Sequence, residues 1–183
     1  FFLCSIYESS KYHHGYMVLK LRSSIKEDWA LLPFVIITFT GFVVAIVDFV
    51  FLQNLRLQYF SLGGALLFVI GNYIREKARW ELKNKAGFTS LASTGRLQVM
   101  EKHRLVKDGL YKHIRHPIYL GETLRNCGIV MLLSSIYGIL FIVVATVLLL
   151  FRIEIEERML IEAFGEEYKE YQKNTKKIIP YIY

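Results

Sequence analysis

LLPFVIITFTGFVVAIVDFVFL, residues 31–52, carries a single ionisable side chain, Asp48. A helix crosses the hydrocarbon core of a bilayer with about 20 consecutive apolar residues. This run is long enough, and its Val, Ile and Phe leave no polar face to turn toward water. It therefore reads as a membrane span, and that reading sets the class of the whole chain.

Three further runs follow the same logic. Residues 58–74 (QYFSLGGALLFVIGNYI) come after a link whose one charge is Arg56. Residues 117–134 and 136–151 (IYGILFIVVATVLLLF) flank an uncharged link at Ser134 and Ser135. The expected fold is all-α and polytopic: two transmembrane helical hairpins, a long loop between them and a C-terminal helix. Residues 1–7 (FFLCSIY) read as the end of an apolar helix, too short to span alone.

Charge fixes the orientation. Residues 75–115 hold 11 Lys and Arg, and the tail after Phe151 is also basic. Excess cations mark the cytoplasmic side, so the long loop and the tail are expected there, on an integral membrane protein. The net charge of +7 and 54% hydrophobic content point to loops facing anionic lipid headgroups rather than to a nucleic acid partner. Cys4 and Cys127 give no disulfide framework. His103, His113 and His116 show no metal-ligand spacing with the glutamates, so no metal is expected.

Charges within a span are costly and usually functional. Glu122 and Arg125 stand three apart on one face of the third helix, with Asn126 beside them, as an internal ion pair or as the lining of a polar cavity. Asp48 is expected at an exposed interface. Arg75 falls one turn after Gly71, near enough to the second span to face a site between helices.

Three segments meet on the expected cytoplasmic face: Lys102 to Val106, Tyr111 to Gly121, and Arg152 to Glu157. Pro117 suits the first turn of a helix, where its missing N–H costs nothing. The open N–H groups of that turn attract an anion, and Arg115 and His116 strengthen the field. Glu156 and Glu157 supply the opposite sign. A mixed-charge ligand with an amino-acid moiety fits such a site, and Tyr111 and Tyr119 offer aromatic faces to a cation. Residues 154–172 read as an amphipathic helix continuing the last span, interrupted at Gly165.

The pattern HxLVxxGxYxxIRHPxYxG, from His103 to Gly121, resembles a signature of the isoprenylcysteine carboxyl methyltransferase family and its membrane methyltransferase relatives. RIEIEERMLIEAFGEEYKEY, residues 152–171, resembles the family's second signature. GNYIREKA (71–78) and KKIIP (176–180) are similar to its second-helix end and its closing pattern. The resemblance runs over roughly residues 58–180.

It implies one membrane methyltransferase domain, residues 1–183, in which 1–57 form an N-terminal segment with the first span and 58–183 a catalytic core. It implies S-adenosylmethionine as cofactor, enclosed by His103, Leu105, Val106, Tyr111, His116, Tyr119, Glu156 and Glu157. The methionyl carboxylate would meet the His116 region and the amino group the glutamates. Arg75 and Arg152 would lie nearer a lipid-like, prenylcysteine-type acceptor that arrives from the membrane. The sequence departs from the family where an aromatic stretch is replaced by Glu122, Arg125 and Asn126, which would touch the acceptor. The competing readings are a phospholipid or small-molecule methyltransferase of the same superfamily, a sterol-reductase-like NADPH enzyme, and a transporter or scaffold. Paired glutamates disfavour a dinucleotide's phosphates.

Overall fold

The computed structural model describes residues 29–52, 58–85 and 105–179. The segment 1–28, the loop cations between residues 86 and 104, and His103 lie outside the described residues. Five α-helices make up most of the remainder: α1 (Leu31–Val47), α2 (Gln58–Lys85), α3 (Pro117–Leu132), α4 (Ile136–Phe164) and α5 (Glu166–Asn174). A π-turn over Asp48–Leu52 extends α1, and a 3-10 turn over Gly109–Lys112 precedes α3. Among the described residues there is no β-strand.

Local chemistry sets the boundaries. Pro117 opens α3 at its first turn. Ser135 caps α4 by accepting a hydrogen bond from the Gly138 N–H at 3.0 Å. Gly165, at a positive φ of 55°, ends α4, a backbone conformation glycine adopts without steric cost. The last apolar run and the charged segment after it thus form one 29-residue helix, α4.

Leu31–Phe51 and Ile136–Phe164 are long and apolar enough to cross a membrane. Their outward faces leave large side chains uncovered, among them Leu32, Phe39 and Ile46 on α1 and Leu140, Val143 and Val147 on α4. Such a surface suits hydrocarbon and would be penalised in water. Arg75 of α2 and Glu122 and Arg125 of α3 instead meet between those two helices.

The tightest packing runs across the expected hairpins, α2 lying along α3 and α1 along α4. The reason is glycine. Gly64 and Gly71 of α2 press on the backbone of Gly128, Met131 and Leu132, and of Gly121 and Arg125, while Gly121 and Gly128 press back on Arg75 and Phe68. A Cβ at Gly121 would stand 2.6 Å from the Arg75 nitrogen. Small residues let helix backbones approach where apolar burial gives no drive for association. Between α1 and α4, Gly41 meets Phe141, and Gly138 meets Ala45.

Asp48 departs from its expected exposed position. It is 3% exposed, at the start of the π-turn that extends α1.

Candidate functional site

The end of α2, the start of α3, the charged half of α4 and the tail come together at one end of the molecule. A buried cluster of Ala78, Val106 and Tyr111, joined by Leu82, Leu110 and Ile118, fixes the segment before α3 to α2. Glu81, buried at the end of α2, accepts a hydrogen bond from the Leu110 N–H at 2.9 Å and lies under Gly109, whose φ is +65°. A side chain at Gly109 would strike that carboxylate. Glu81 was not singled out from sequence, because nothing local links it to a turn 28 residues away.

Val106 and Tyr111, expected around a cofactor, are buried in this cluster. The Tyr111 hydroxyl approaches the Ala78 carbonyl at 3.4 Å, and its own carbonyl accepts from the Tyr171 hydroxyl at 2.6 Å. Burial pushes the phenols of Tyr111, Tyr168 and Tyr171 up from their usual range, so they act as neutral groups at physiological pH. Tyr111 therefore offers little open ring face. Leu105 is half-buried beside it.

Arg115, expected to strengthen the field at the start of α3, is engaged within the protein. Its Nε donates to Glu157 Oε1 at 2.6 Å, and its Nη1 to the carbonyls of Gln172 (3.2 Å) and Thr175 (2.5 Å). Its charge is already satisfied within the protein, as a buried guanidinium requires. The tail is strapped to the same place: the N–H groups of Arg115 and His116 donate to the carbonyls of Lys176 (2.8 Å) and Lys177 (3.0 Å), and Ile114 bridges to Lys176.

The two glutamates expected to act alike are placed differently. Glu157 is bonded by Arg115, by His116 Nε2 at 3.2 Å and by Gln172 at 3.2 Å, with the Lys177 Nζ at 3.9 Å. It is the brace between α4, the α3 start and the tail. Glu156 Oε2 is buried and accepts no hydrogen bond among the described residues, with His116 Nδ1 at 3.9 Å.

Around Glu156 stand the groups that can face a ligand. The His116 ring stacks on Tyr119 with centroids 5.7 Å apart, and the Arg152 guanidinium lies 5.9 Å from the Tyr119 ring centre. One turn deeper, Arg75 donates to Glu122 at 2.8 Å, Glu122 pairs with Arg125, and Arg125 donates to Asn126 at 3.0 and 3.2 Å. The expected Glu122–Arg125 pair is present and extends to a second helix. Gln172, Thr175 and Lys177 reach Arg115 and Glu157 from the tail, where only KKIIP stood out in the sequence.

The model of the phospholipid methyltransferase family matches residues 59–167. This chain belongs to that family. Over 134 residues it is 34% identical to the protein-S-isoprenylcysteine O-methyltransferase of Saccharomyces cerevisiae, a match covering 73% of this chain and 54% of the yeast protein. It is 32% identical to protein-S-isoprenylcysteine O-methyltransferase B of Arabidopsis thaliana, covering 75% and 68%. The chain thus spans about half the length of the yeast relative. The solved structure of a eukaryotic intramembrane Ras methyltransferase, an isoprenylcysteine carboxyl methyltransferase, superposes with a TM-score of 0.65 at 25% identity, covering 82% of this chain and 53% of that one. With its two apolar helices, the family member described here is an integral membrane protein.

Proposed function

We propose that this chain transfers a methyl group from S-adenosylmethionine to a lipid-like acceptor, a prenylcysteine-type carboxylate being the acceptor that the family's relatives favour. The observation that carries the reading is the buried, unbonded Oε2 of Glu156 beside the His116–Tyr119 stack. A carboxylate oxygen held dry without a donor fits an ammonium group. It does not fit the phosphates of a dinucleotide, which weighs against the NADPH reading. The Tyr119 ring, between His116 and Arg152, offers its face to a cation.

When bound, the cofactor supplies a methyl group on a positively charged sulfur that is already a good leaving group. The chain's own task is then to position the partners and exclude water. Glu156 binds the amino-acid end, Tyr119 presents its ring, and Leu105 with the buried Val106–Tyr111 cluster shields that side. Glu157, bonded on three sides, holds His116 and Arg115 rather than touching the ligand. Arg75 and Arg152 orient the acceptor, since a guanidinium grips a carboxylate with a planar fork. No general base is required, because a carboxylic acid is ionised near neutral pH. In this reading the basic loops lie on the cytoplasmic side and four apolar runs cross the membrane.

Calorimetry on the purified protein tests the assignment: S-adenosylhomocysteine binds and a reduced nicotinamide dinucleotide does not. Binding of the dinucleotide alone, by a folded protein, overturns it.

A further inference from the structure

Resting on that reading, one cluster enters it only through Arg75. Glu122 receives Arg75 Nε from α2 at 2.8 Å and Arg125 Nη2 from its own helix. Bracing two helices requires one cation; here two converge on a single carboxylate. Arg75 also bonds Glu76 at 2.6 Å, but Glu76 is 60% exposed and its charge is largely screened. Arg125 is turned toward the cluster by Asn126, which is 2% exposed. The three charged side chains keep 17–22% exposure, so the cluster is open on one side.

Its position matters as much as its charge. Tyr119, Glu122 and Asn126 follow at intervals of three and four, the spacing of one helix face. The face that begins with the His116–Tyr119 stack therefore continues as a polar stripe two turns into an otherwise apolar helix. Along that stripe α2 contributes Arg75 beside Glu122, and α4 contributes Arg152 beside Tyr119. Two guanidinium groups held together in an apolar helix pair form a strong site for a second carboxylate or a phosphate.

We infer that the Arg75–Glu122–Arg125 cluster seats the anionic head group of a lipid-anchored acceptor, with Arg125 the specificity-determining residue and Glu122 an internal anion that competes for it. The shared chemistry is a carboxylate or phosphate on an apolar chain.

The test uses purified protein in detergent micelles saturated with S-adenosylhomocysteine. Three probes are compared: farnesylcysteine with a free carboxylate, its carboxamide, and a short-chain phosphatidic acid. At least one anionic probe binds about tenfold more tightly than the carboxamide, the scale of one charge-assisted hydrogen bond. Preference for the carboxylate assigns a prenylcysteine-type acceptor, and preference for the phosphate a phospholipid. Arg125→Gln removes the preference without changing carboxamide binding, Arg125→Lys retains part of it, and Glu122→Gln strengthens anionic binding. Equal effects on charged and uncharged probes, or no anionic preference in the unaltered protein, overturn the inference. S-adenosylhomocysteine binding measured on the same samples separates the two readings: its absence in the unaltered protein sinks the methyltransferase proposal, whereas its presence without anion preference sinks only this one.

Discussion

Arg115 and Glu157 are joined at 2.6 Å across 42 positions of sequence, with side chains only 9% and 8% exposed. That bond ties the segment before α3 to α4, and the carbonyls of Gln172 and Thr175 on Arg115 add the end of α5 to the same point.

Removing one partner of a buried pair leaves the other charge uncompensated, which costs about 3–5 kcal/mol. Arg115→Ala is expected to lower the unfolding temperature of the detergent-solubilised protein strongly, without any ligand present. Glu157→Gln, which keeps the shape and some of the bonds, loses less. Thermal unfolding monitored by circular dichroism decides this. If Arg115→Ala melts with the unaltered protein, the brace is not structural.

Glu156→Gln is the complementary case. Its Oε2 carries no hydrogen bond among the described residues, so folding gains little from its charge. The expected outcome is an unchanged unfolding temperature and weaker S-adenosylhomocysteine binding, by about 10- to 100-fold for the loss of one bond to a charged group. His116→Ala, which removes both the stack on Tyr119 and a bond to Glu157, weakens binding and stability together. Calorimetry and thermal unfolding on the same preparations distinguish the two patterns.

These contrasts mark where the sequence was readable. Apolar run length exposed the two helices long and apolar enough to cross a membrane, and Pro117 and Gly165 announced helix ends because their backbone restrictions act locally. Glu156 and Glu157 looked alike because adjacent residues differ by a rotation of about 100° on a helix, and only the packed neighbours decide which one is bonded. Tyr111 read as an open ring since its burial depends on Ala78 and Tyr171, both distant in sequence. The pairing of α2 with α3 was written in the seven-residue spacing of Gly64 and Gly71 and of Gly121 and Gly128. Helices apolar on nearly all sides give no further clue to which faces meet.

That glycine spacing gives its own prediction. Gly71→Ala and Gly128→Ala drive a Cβ into the opposing backbone, of Arg125 and of Phe68 respectively, which the helices relieve only by moving apart. Overpacking of this kind costs about 1–3 kcal/mol. Gly63→Ala is the control, because its Cβ would meet only the Met131 side-chain end at 3.9 Å. There alanine is expected to be neutral or to stabilise by up to about 1 kcal/mol through helix propensity. Equal losses at Gly63 and Gly71 in thermal unfolding would show that the close approach is not what holds α2 to α3.

Arg152 and Arg75 separate binding from turnover. Arg152 lies over Tyr119 and Arg75 bonds Glu122; the proposed function assigns both to the acceptor and neither to the amino-acid end of the donor. Arg75→Ala is expected to leave S-adenosylhomocysteine binding within about twofold while reducing methyl transfer to a farnesylcysteine acceptor by at least tenfold, the value of one charged hydrogen bond. Arg152 is buried against Tyr119, so Arg152→Lys is the informative change: it retains the charge but not the fork, and turnover falls because a carboxylate is gripped through two parallel bonds. Radiolabelled methyl transfer and calorimetry on each variant give the split. A loss of donor binding in Arg75→Ala, with the fold intact, would move that residue from the acceptor side of the site to the donor side.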